Sequence, residues 1–265
     1  MMRPLAEFPP ASRRRIRGVL CDIDETLTTG GRLTAPAYAA LEQLQRAGFR
    51  VVPITGRPAG WCDHIARMWP VDAVVGENGA FYFRYDHAAR SMRRRYAVDA
   101  AARAANRERL AAIGDRILAA VPGCALAADQ GYREADLAID YCEDVPRLPQ
   151  SAVDEIVSLM QQAGLTAKIS SIHVNGWFGG YDKLAMTKIL FEECFGADLE
   201  ARKDEFVFIG DSPNDAPMFA CFPHSVGVAN IRSFSGRLAA EPAYVTRAGS
   251  GGGFRELADF LLQGR

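Results

Sequence analysis

The 265-residue chain has no long hydrophobic run, no excess of either charge and no internal repeat. No apolar stretch approaches the ~18 residues that a membrane-spanning helix needs, so we expect no membrane partner. The opening MMRPLAEFPPASRRR also lacks the apolar core of a signal peptide. We therefore expect a cytoplasmic protein with a short, loose N-terminal tail.

The charges nearly cancel, because 31 Lys and Arg face 32 Asp and Glu for a net charge of −1. This balance gives no electrostatic basis for binding nucleic acid. The basic clusters at 13–17 and 93–95 are more typical of solvated surface charge than of a phosphate or partner contact. We expect a small-molecule partner, no nucleic acid, and a monomer or homodimer.

The six cysteines are scattered and form no C-x-x-C motif. This spacing argues against the common zinc and redox sites. It favours small, buried apolar side chains in a reducing compartment.

Strand-like and helix-like stretches alternate in the first third of the chain. VLCDIDETLT, FRVVPITG and VDAVV are typical of buried strands, and TAPAYAALEQLQRAG and PAGWCDHIARMW of helices. A return strand follows the GENGA turn. This order, with short connections, predicts a parallel α/β sheet.

The rhythm changes near Arg84, where a long Ala/Arg helix, further strands and the helix SAVDEIVSLMQQAG follow. The alternating pattern resumes with DKLAMTKILFEECFG and EFVFIGDS. We predict an α/β fold with a Rossmann-like parallel-sheet core, formed by residues 1–83 and 174–265, and an inserted α+β cap of residues 84–173. Within the core, the glycine-rich stretch Ala248–Phe254 is predicted to be a flexible loop.

Polar residues follow three of the predicted core strands. Asp22 and Asp24 follow the first strand, Thr55 the second, and Asp211 the strand FVFIG. Ordinary turn or capping chemistry explains each one alone. Because ligands bind beyond the carboxyl ends of parallel strands, their coincidence at one edge favours a functional site.

Asp22 and Asp24 pose an electrostatic problem, since side chains at i and i+2 of a strand point to the same side. Two neighbouring carboxylates raise each other's pKa unless a cation neutralises them. The pair therefore calls for a metal, a substrate or a turn that opens it to water.

These stretches resemble the motifs of the haloacid dehalogenase superfamily of phosphatases. DIDETLT is similar to its first motif, PITGR to the second, YDKLAMTK to the third and GDSPNDAPMF to the fourth. The long insertion, GENGA and the form G-D-x-x-N-D resemble the type IIB branch, which includes Cof-type sugar phosphatases, sucrose phosphatase and mannosylphosphoglycerate phosphatase.

The resemblance implies roles for the two aspartates of the first motif. Asp22 is the expected nucleophile, and it shares a Mg²⁺ with Asp211 and the backbone carbonyl of Asp24. Asp24 is the expected general acid and base. Glu25 stands where the family often has Gly, which makes the turn less permissive and adds charge near the site.

The other motifs imply a phosphate-binding set. Thr55 and the Gly56 N–H would hold the phosphoryl oxygens, and Lys183 would add positive charge in the transition state. Asn214 is expected to contact phosphate, and Asp215 to orient Lys183 or a metal-bound water.

Three residues of the predicted cap are candidates for contact with the substrate. Arg133, expected on an exposed strand, would clamp an anionic or hydroxyl-rich substrate, although a surface salt bridge explains it equally well. His173 and Asn175 precede the point where the core resumes, and a sugar-facing role competes there with ordinary packing.

The resemblance implies a Mg²⁺-dependent phosphatase that acts on a sugar phosphate or glycosyl phosphoglycerate through an aspartyl-phosphate. One alternative is a phosphohexose mutase, which uses the same two aspartates. Another is a catalytically silent sugar-phosphate-binding module.

Overall fold

Strands and helices alternate along residues 2–264, which the computed structural model describes; residues 1 and 265, the outer ends of the predicted core, lie outside them. The strands are β1 (Arg3–Pro4), β2 (Gly18–Cys21), β3 (Thr28–Thr29), β4 (Arg32–Leu33), β5 (Arg50–Pro53), β6 (Val74–Gly76), β7 (Phe81–Asp86), β8 (Ser91–Tyr96), β9 (Ala125–Leu126), β10 (Asp136–Asp140), β11 (Thr166–Ile169), β12 (His173–Trp177), β13 (Phe206–Gly210), β14 (Val226–Gly227) and β15 (Tyr244–Val245). The α-helices are α1 (Pro10–Arg15), α2 (Ala35–Arg46), α3 (Ala59–Met68), α4 (Ala100–Ala120), α5 (Gln150–Gln162), α6 (Lys183–Phe195), α7 (Ala216–Cys221) and α8 (Ser250–Leu262). None of the helices within these described residues is long and apolar enough to cross a bilayer.

The core is a six-stranded sheet with the order β1-β15-β14-β13-β2-β5 and parallel pairing throughout. Successive side chains of β2 alternate between its faces, so that Val19 and Cys21 pack on one side and Leu20 on the other. Helices α2, α3 and α8 cover the first face, and α6 and α7 cover the second. The predicted α/β class with a parallel-sheet core is confirmed.

An antiparallel sheet of β6, β7 and β8 extends this core, and β6 meets it through a parallel bridge between Ile54 and Val75. The arginine cluster lies on β8, where Arg93 and Arg95 pair with Glu193, and Arg94 on the opposite face pairs with Asp63. The cluster therefore forms exposed ion pairs, and β8 lies against the core.

The inserted unit has its own antiparallel sheet, with the order β11-β12-β10-β9. Helices α4 and α5 pack on it around a separate apolar cluster that includes Ile117, Ile139 and Ile156. This is the predicted α+β architecture.

The strands run across both predicted borders of the cap. β7 spans the border at 83/84 and stays with the core, whereas β12 spans the border at 173/174 and pairs with β10 and β11 of the cap. Because a strand cannot leave its ladder midway without breaking hydrogen bonds, we move the proposed borders to 97–99 and 178–182.

The N-terminal tail is docked on the core, which corrects the expectation of a loose segment. Arg3 and Pro4 pair with β15, and Leu5 and Phe8 are buried. The two apolar side chains supply the packing that a purely polar tail would lack.

The glycine-rich stretch predicted as a flexible loop forms the first turn of α8. Glycine is required there by packing. A Cβ on Gly251 would lie 2.7 Å from the Leu27 carbonyl oxygen, and one on Gly253 would lie 2.6 Å from the Ala248 carbonyl oxygen. The composition indicated flexibility, but tertiary contact with the loop after β2 selected these residues.

Gly251 and its neighbour Gly252 provide a matched test of this packing. Gly251→Ala should lower the free energy of unfolding by about 1–3 kcal/mol, because the new methyl group meets rigid backbone. Gly252→Ala, whose methyl group meets only the Ala248 Cβ at 3.4 Å, should raise it by about 0.4–1 kcal/mol. Urea unfolding measures both, and equal effects would contradict the packing role of Gly251.

Candidate active site

The carboxyl ends of four adjacent parallel strands bring polar side chains to one edge of the core sheet. Asp22 follows β2, Asp211 follows β13, and Thr55 lies two residues beyond β5. Asn230 lies three residues beyond β14 and was not among the predicted residues. The register, in which Cys21 is level with Ile209 and Pro53, places the first three side by side.

A buried lysine joins two of the aspartates. Lys183 Nζ lies 2.7 Å from Asp22 Oδ1 and 2.7 Å from Asp215 Oδ1, and its residue is only 2% exposed. Lys183 is the first residue of α6, whose N-terminus is capped by Asp182 through the Ala185 N–H. The helix thus delivers the ammonium group to the end of β2.

Both oxygens of Asp215 are already engaged. Oδ1 accepts from Lys183, and Oδ2 accepts from the N–H groups of Asp211 and Ser212 in a capping box. This arrangement favours the predicted orienting role of Asp215 towards Lys183.

Asp211 is held on one side only. Its Oδ2 accepts a hydrogen bond from Asn230 Nδ2 at 3.3 Å, whereas Oδ1 is buried without a hydrogen-bond partner. A buried carboxylate oxygen with no donor is costly, so this atom requires a cation or a proton.

The electrostatics of the site agree with this need. Burial, together with Asp215 and Asp24, raises the pKa of Asp22 to about 7 although Lys183 acts to lower it. Burial and the nearby Asp22 raise the pKa of Asp211 well above its ordinary range. For Lys183 burial acts in the opposite sense, but Asp215 and Asp22 prevail and raise the pKa, so it stays charged.

The acidic cluster fits a small divalent cation. Ligand oxygens of Asp22, Asp211 and Asp215 lie within 4.8 Å of one another. Hard carboxylate oxygens are the donors that Mg²⁺ prefers. Because Asp215 is already satisfied, Asp22 and the unpartnered oxygen of Asp211 are the better candidate ligands. The motif resemblance implies the same two carboxylates, and this assignment stays a prediction.

The carboxylate of Asp24 pairs with Arg57. Arg57 Nη2 lies 2.7 Å and Nε 2.8 Å from Asp24 Oδ1. A neighbouring cation therefore offsets the charge of Asp24, although Asp24 still acts to raise the pKa of Asp22. Arg57 belongs to the motif PITGR, yet it was not singled out from the sequence.

The predicted phosphate-binding loop is tightly built. Thr55 Oγ1 accepts the Arg57 N–H at 3.0 Å. A Cβ on Gly56 would lie 3.1 Å from Asn78 Nδ2, a buried atom with no partner. Asn214 Nδ2 donates to Asn78 Oδ1 at 3.4 Å, so Asn78 joins the second and fourth motifs.

Glu25 adopts a left-handed conformation with φ 55°, which explains why glycine suits this position. Its carboxylate accepts hydrogen bonds from the Gly31 N–H at 3.2 Å and the Ser250 hydroxyl at 3.0 Å. Its carbonyl accepts from Asn230, which also holds Asp211. Glu25 therefore offsets its backbone strain by tying the first loop to its surroundings.

Two cavities meet at Asp24. A narrow one is lined by Asp22, Asn214, His173 and Asn175, so the structure brings these four predicted residues together. A wider cavity of about 680 Å³ opens beside it between core and cap. Cap residues Ser171 and Ile172 line both cavities and were missed because a short turn carries no sequence signal of its own.

Arg133 corrects the expectation of an exposed clamp. Its side chain is 1% exposed and pairs with Asp129 at 2.9 Å and Asp136 at 2.9 Å. It also donates to the Gly56 carbonyl at 2.8 Å. Arg133 lines neither cavity, and its charge is neutralised by carboxylates of the cap. Its hydrogen bond to the Gly56 carbonyl joins the cap to the core.

Glu77 of the GENGA turn makes a second tie between the two units. Its buried carboxylate accepts N–H groups from Ala59 on α3 and from Glu134, Ala135 and Asp136 of the cap. The GENGA motif, which resembles the type IIB branch, therefore joins the cap to the core.

His173 and Asn175 are also engaged within the cap. His173 Nε2 lies 2.9 Å from Glu143 Oε2, and Asn175 Nδ2 donates to Asp136 Oδ2 at 3.0 Å. Partial burial acts to raise the pKa of Glu143, but His173 and Arg57 lower it to about 2. Trp177 is buried and stacks on Tyr181.

Residues 19–115 match the family described as haloacid dehalogenase-like hydrolase. This segment contains the first two motifs, and the resemblance inferred from the motifs is confirmed. No curated protein sequence matches the chain.

Solved structures share the whole fold. The C-terminal domain of trehalose-6-phosphate phosphatase from C. albicans has a TM-score of 0.70 at 14% identity, covering 99% of each chain. Sucrose-phosphatase from Synechocystis, solved with sucrose and phosphate, has a TM-score of 0.61 at 16% identity, covering 93% of this chain and 98% of that one. A sugar phosphatase of subclass IIB has a TM-score of 0.59 at 14% identity, with the same coverage.

The raised pKa of Asp22 predicts how metal-free stability depends on pH. A carboxyl group whose pKa is raised on folding contributes its full stabilisation below its unfolded-state pKa, which is 3.8 for Asp22. It loses that contribution as the pH rises through its folded-state pKa, which is about 7. In EDTA, the melting temperature should be lower at pH 8 than at pH 6. Mg²⁺ should raise it more at pH 8, because metal and protons compete for the carboxylates. If Mg²⁺ raised the melting temperature equally at both pH values, the assignment of Asp22 and Asp211 as metal ligands would be contradicted.

Proposed function

We propose that this chain, a haloacid dehalogenase-like hydrolase, is a Mg²⁺-dependent phosphatase that acts on a sugar phosphate or glycosyl phosphoglycerate through an aspartyl-phosphate. The observation that carries the proposal is the buried Lys183 between Asp22 and Asp215, beside the unpartnered oxygen of Asp211. Phosphoryl transfer to aspartate requires a nucleophilic carboxylate, a fixed positive charge and a carboxylate oxygen that is free to bind a metal cation.

In the first half-reaction, an oxygen of Asp22 attacks phosphorus, and the bond from phosphorus to the leaving oxygen breaks. Asp24 donates a proton to that oxygen, which departs as an alcohol. In the second, Asp24 takes a proton from water as the water oxygen attacks phosphorus. The bond from Asp22 to phosphorus then breaks, and inorganic phosphate is released.

The surrounding residues stabilise charge on the transferred group. Lys183 places a permanent positive charge beside Asp22, and Asp215 keeps it there. Thr55, the Gly56 N–H and Asn214 are proposed to hold the phosphoryl oxygens.

Asp22, Asp211 and the Asp24 carbonyl are proposed to hold the metal. Mg²⁺ neutralises the carboxylates and phosphoryl oxygens when bound. Asn230 and Glu25 keep Asp211 and the first loop in register, since one amide joins them.

The wider cavity supports a substrate with a bulky polar leaving group. Its 680 Å³ exceeds what phosphate needs, and Arg147, Ser171 and Arg237 line it with other polar residues. Such a lining suits hydroxyl-rich or anionic groups better than apolar ones. Structures sharing this fold include phosphatases of sucrose phosphate and trehalose 6-phosphate by their names, in keeping with a sugar phosphate.

Asp22→Asn tests the nucleophile, because it removes the attacking charge while keeping side-chain size. Phosphate release from a panel of phosphorylated sugars and glycerates should fall by roughly three orders of magnitude or more. The fold should remain, because Asp215 still pairs with Lys183 and the change relieves repulsion among the buried carboxylates.

A variant that turns over near the wild-type rate would rule out the proposed mechanism. Isomerisation of a phosphohexose without phosphate release would indicate the mutase instead. A wild-type protein inert towards every phosphate tested would favour the silent binding module.

The metal is tested at Asp211. EDTA should abolish activity and Mg²⁺ restore it, and Asp211→Asn should raise the Mg²⁺ concentration for half-maximal activity by at least about tenfold. Glu193→Gln, which alters a partly exposed carboxylate on α6 away from the site, is the control. Full activity in EDTA would exclude a metal-dependent reaction.

A further inference from the structure

Arg57 lies where three carboxylates from the two units meet. On the core, it pairs with Asp24 at 2.7 Å. On the cap, Nη1 lies 3.1 Å from Asp129 Oδ2, and Nη2 donates to Glu143 Oε1. The Arg57 side chain is only 4% exposed, so these carboxylates take the place of water around its charge.

The backbone of Arg57 is held mainly by the core, since its carbonyl accepts from the Glu77 N–H at 3.1 Å, although the preceding Gly56 carbonyl accepts from Arg133 of the cap. The Arg57 N–H donates to Thr55 Oγ1, and its guanidinium carbon lies 4.5 Å from the ring centre of Trp61 on α3. The two terminal nitrogens of the Arg57 side chain are the atoms that contact the cap carboxylates.

The cap contributes two of the three anions that satisfy this cation. If the cap moves away, Asp129 and Glu143 leave, and the guanidinium gains water and rotational freedom. The side chain of Asp24 is 14% exposed. Its partner Arg57 would then be mobile instead of fixed by the cap. A proton donor contributes fully only when it is held within hydrogen-bond reach of the leaving oxygen.

We propose that Arg57 is a positioning residue that fixes the carboxylate of Asp24 for proton transfer, and that Asp129 and Glu143 fix Arg57 when the cap is closed. Closure of the cap is thereby coupled to the positioning of Asp24 as the proton donor. The proposal rests on the phosphatase function and the role of Asp24, but it adds a residue and a coupling that they do not require.

A merely structural latch makes a different prediction. If Arg57 only held the cap down, its loss would slow all substrates alike. If it positions the proton donor, its loss matters for a leaving group that needs a proton. p-Nitrophenyl phosphate releases a stable phenolate, whereas glycerol 2-phosphate must release an alcohol.

The experiment measures release of the leaving group in a single turnover, which isolates the first half-reaction. Arg57→Lys keeps the charge but cannot span Asp24 and both cap carboxylates. The substitution should lower the rate of leaving-group release roughly 100-fold for glycerol 2-phosphate and less than about threefold for p-nitrophenyl phosphate. Comparable losses on both substrates, or none on either, would overturn the proposal.

Glu143→Gln tests the cap side without removing the buried cation, and it decides the matter if Arg57→Lys does not fold. It should slow glycerol 2-phosphate by about tenfold and spare p-nitrophenyl phosphate, by the same general-acid argument. Glu193→Gln is the matched control, because both glutamate side chains are about one-quarter exposed and pair with arginine. It should leave both rates unchanged.

Failure of the proposed phosphatase function and failure of the Arg57 role give different results. Wild-type protein that releases phosphate neither from these two substrates nor from any sugar phosphate or phosphoglycerate of the panel would contradict the proposed function itself. Wild-type activity on both, with a leaving-group ratio unchanged by Arg57→Lys or Glu143→Gln, would overturn only the role of Arg57.

Discussion

The arrangement depends on one buried cation, Lys183, held 2.7 Å from both Asp22 and Asp215. Burying an ammonium group is costly unless it is paired and hydrogen-bonded, and this one is joined to strands β2 and β13 through the residues that follow them. The pairing ties α6 to the carboxyl edge of the sheet. It also leaves Asp211 with an oxygen that only a cation or a proton can satisfy.

A second charged network docks the cap. Arg57 of the core pairs with carboxylates of the cap, and Arg133 of the cap donates to the Gly56 carbonyl of the core. Glu77 accepts backbone N–H groups from both units. These contacts involve the loops that carry Thr55 and Gly56. In the proposed mechanism, the loop that would hold the phosphoryl oxygens also contacts the cap, which would join catalysis to a conformational step.

Much of this fold follows from local pattern. The strands and helices of the core were predictable because apolar runs, helical spacing and short connections admit few topologies. The exceptions have physical causes. The glycines of α8 indicated a loop, but close approach to Leu27 required them. The tail was expected to be loose, but Leu5 and Phe8 found an apolar surface to cover.

The sequence alone determined that Asp22, Thr55 and Asp211 gather at one edge, because the carboxyl ends of parallel strands meet. The motif resemblance, and not the strand pattern, implied that Lys183 joins them. Tertiary structure decided their partners. That Asp24 pairs with Arg57, that Asn230 holds Asp211, and that Arg133 is buried rather than exposed depend on how loops and cap dock. Pairing of this kind is set by distances between segments far apart in the chain, and periodicity and spacing carry no information about those distances.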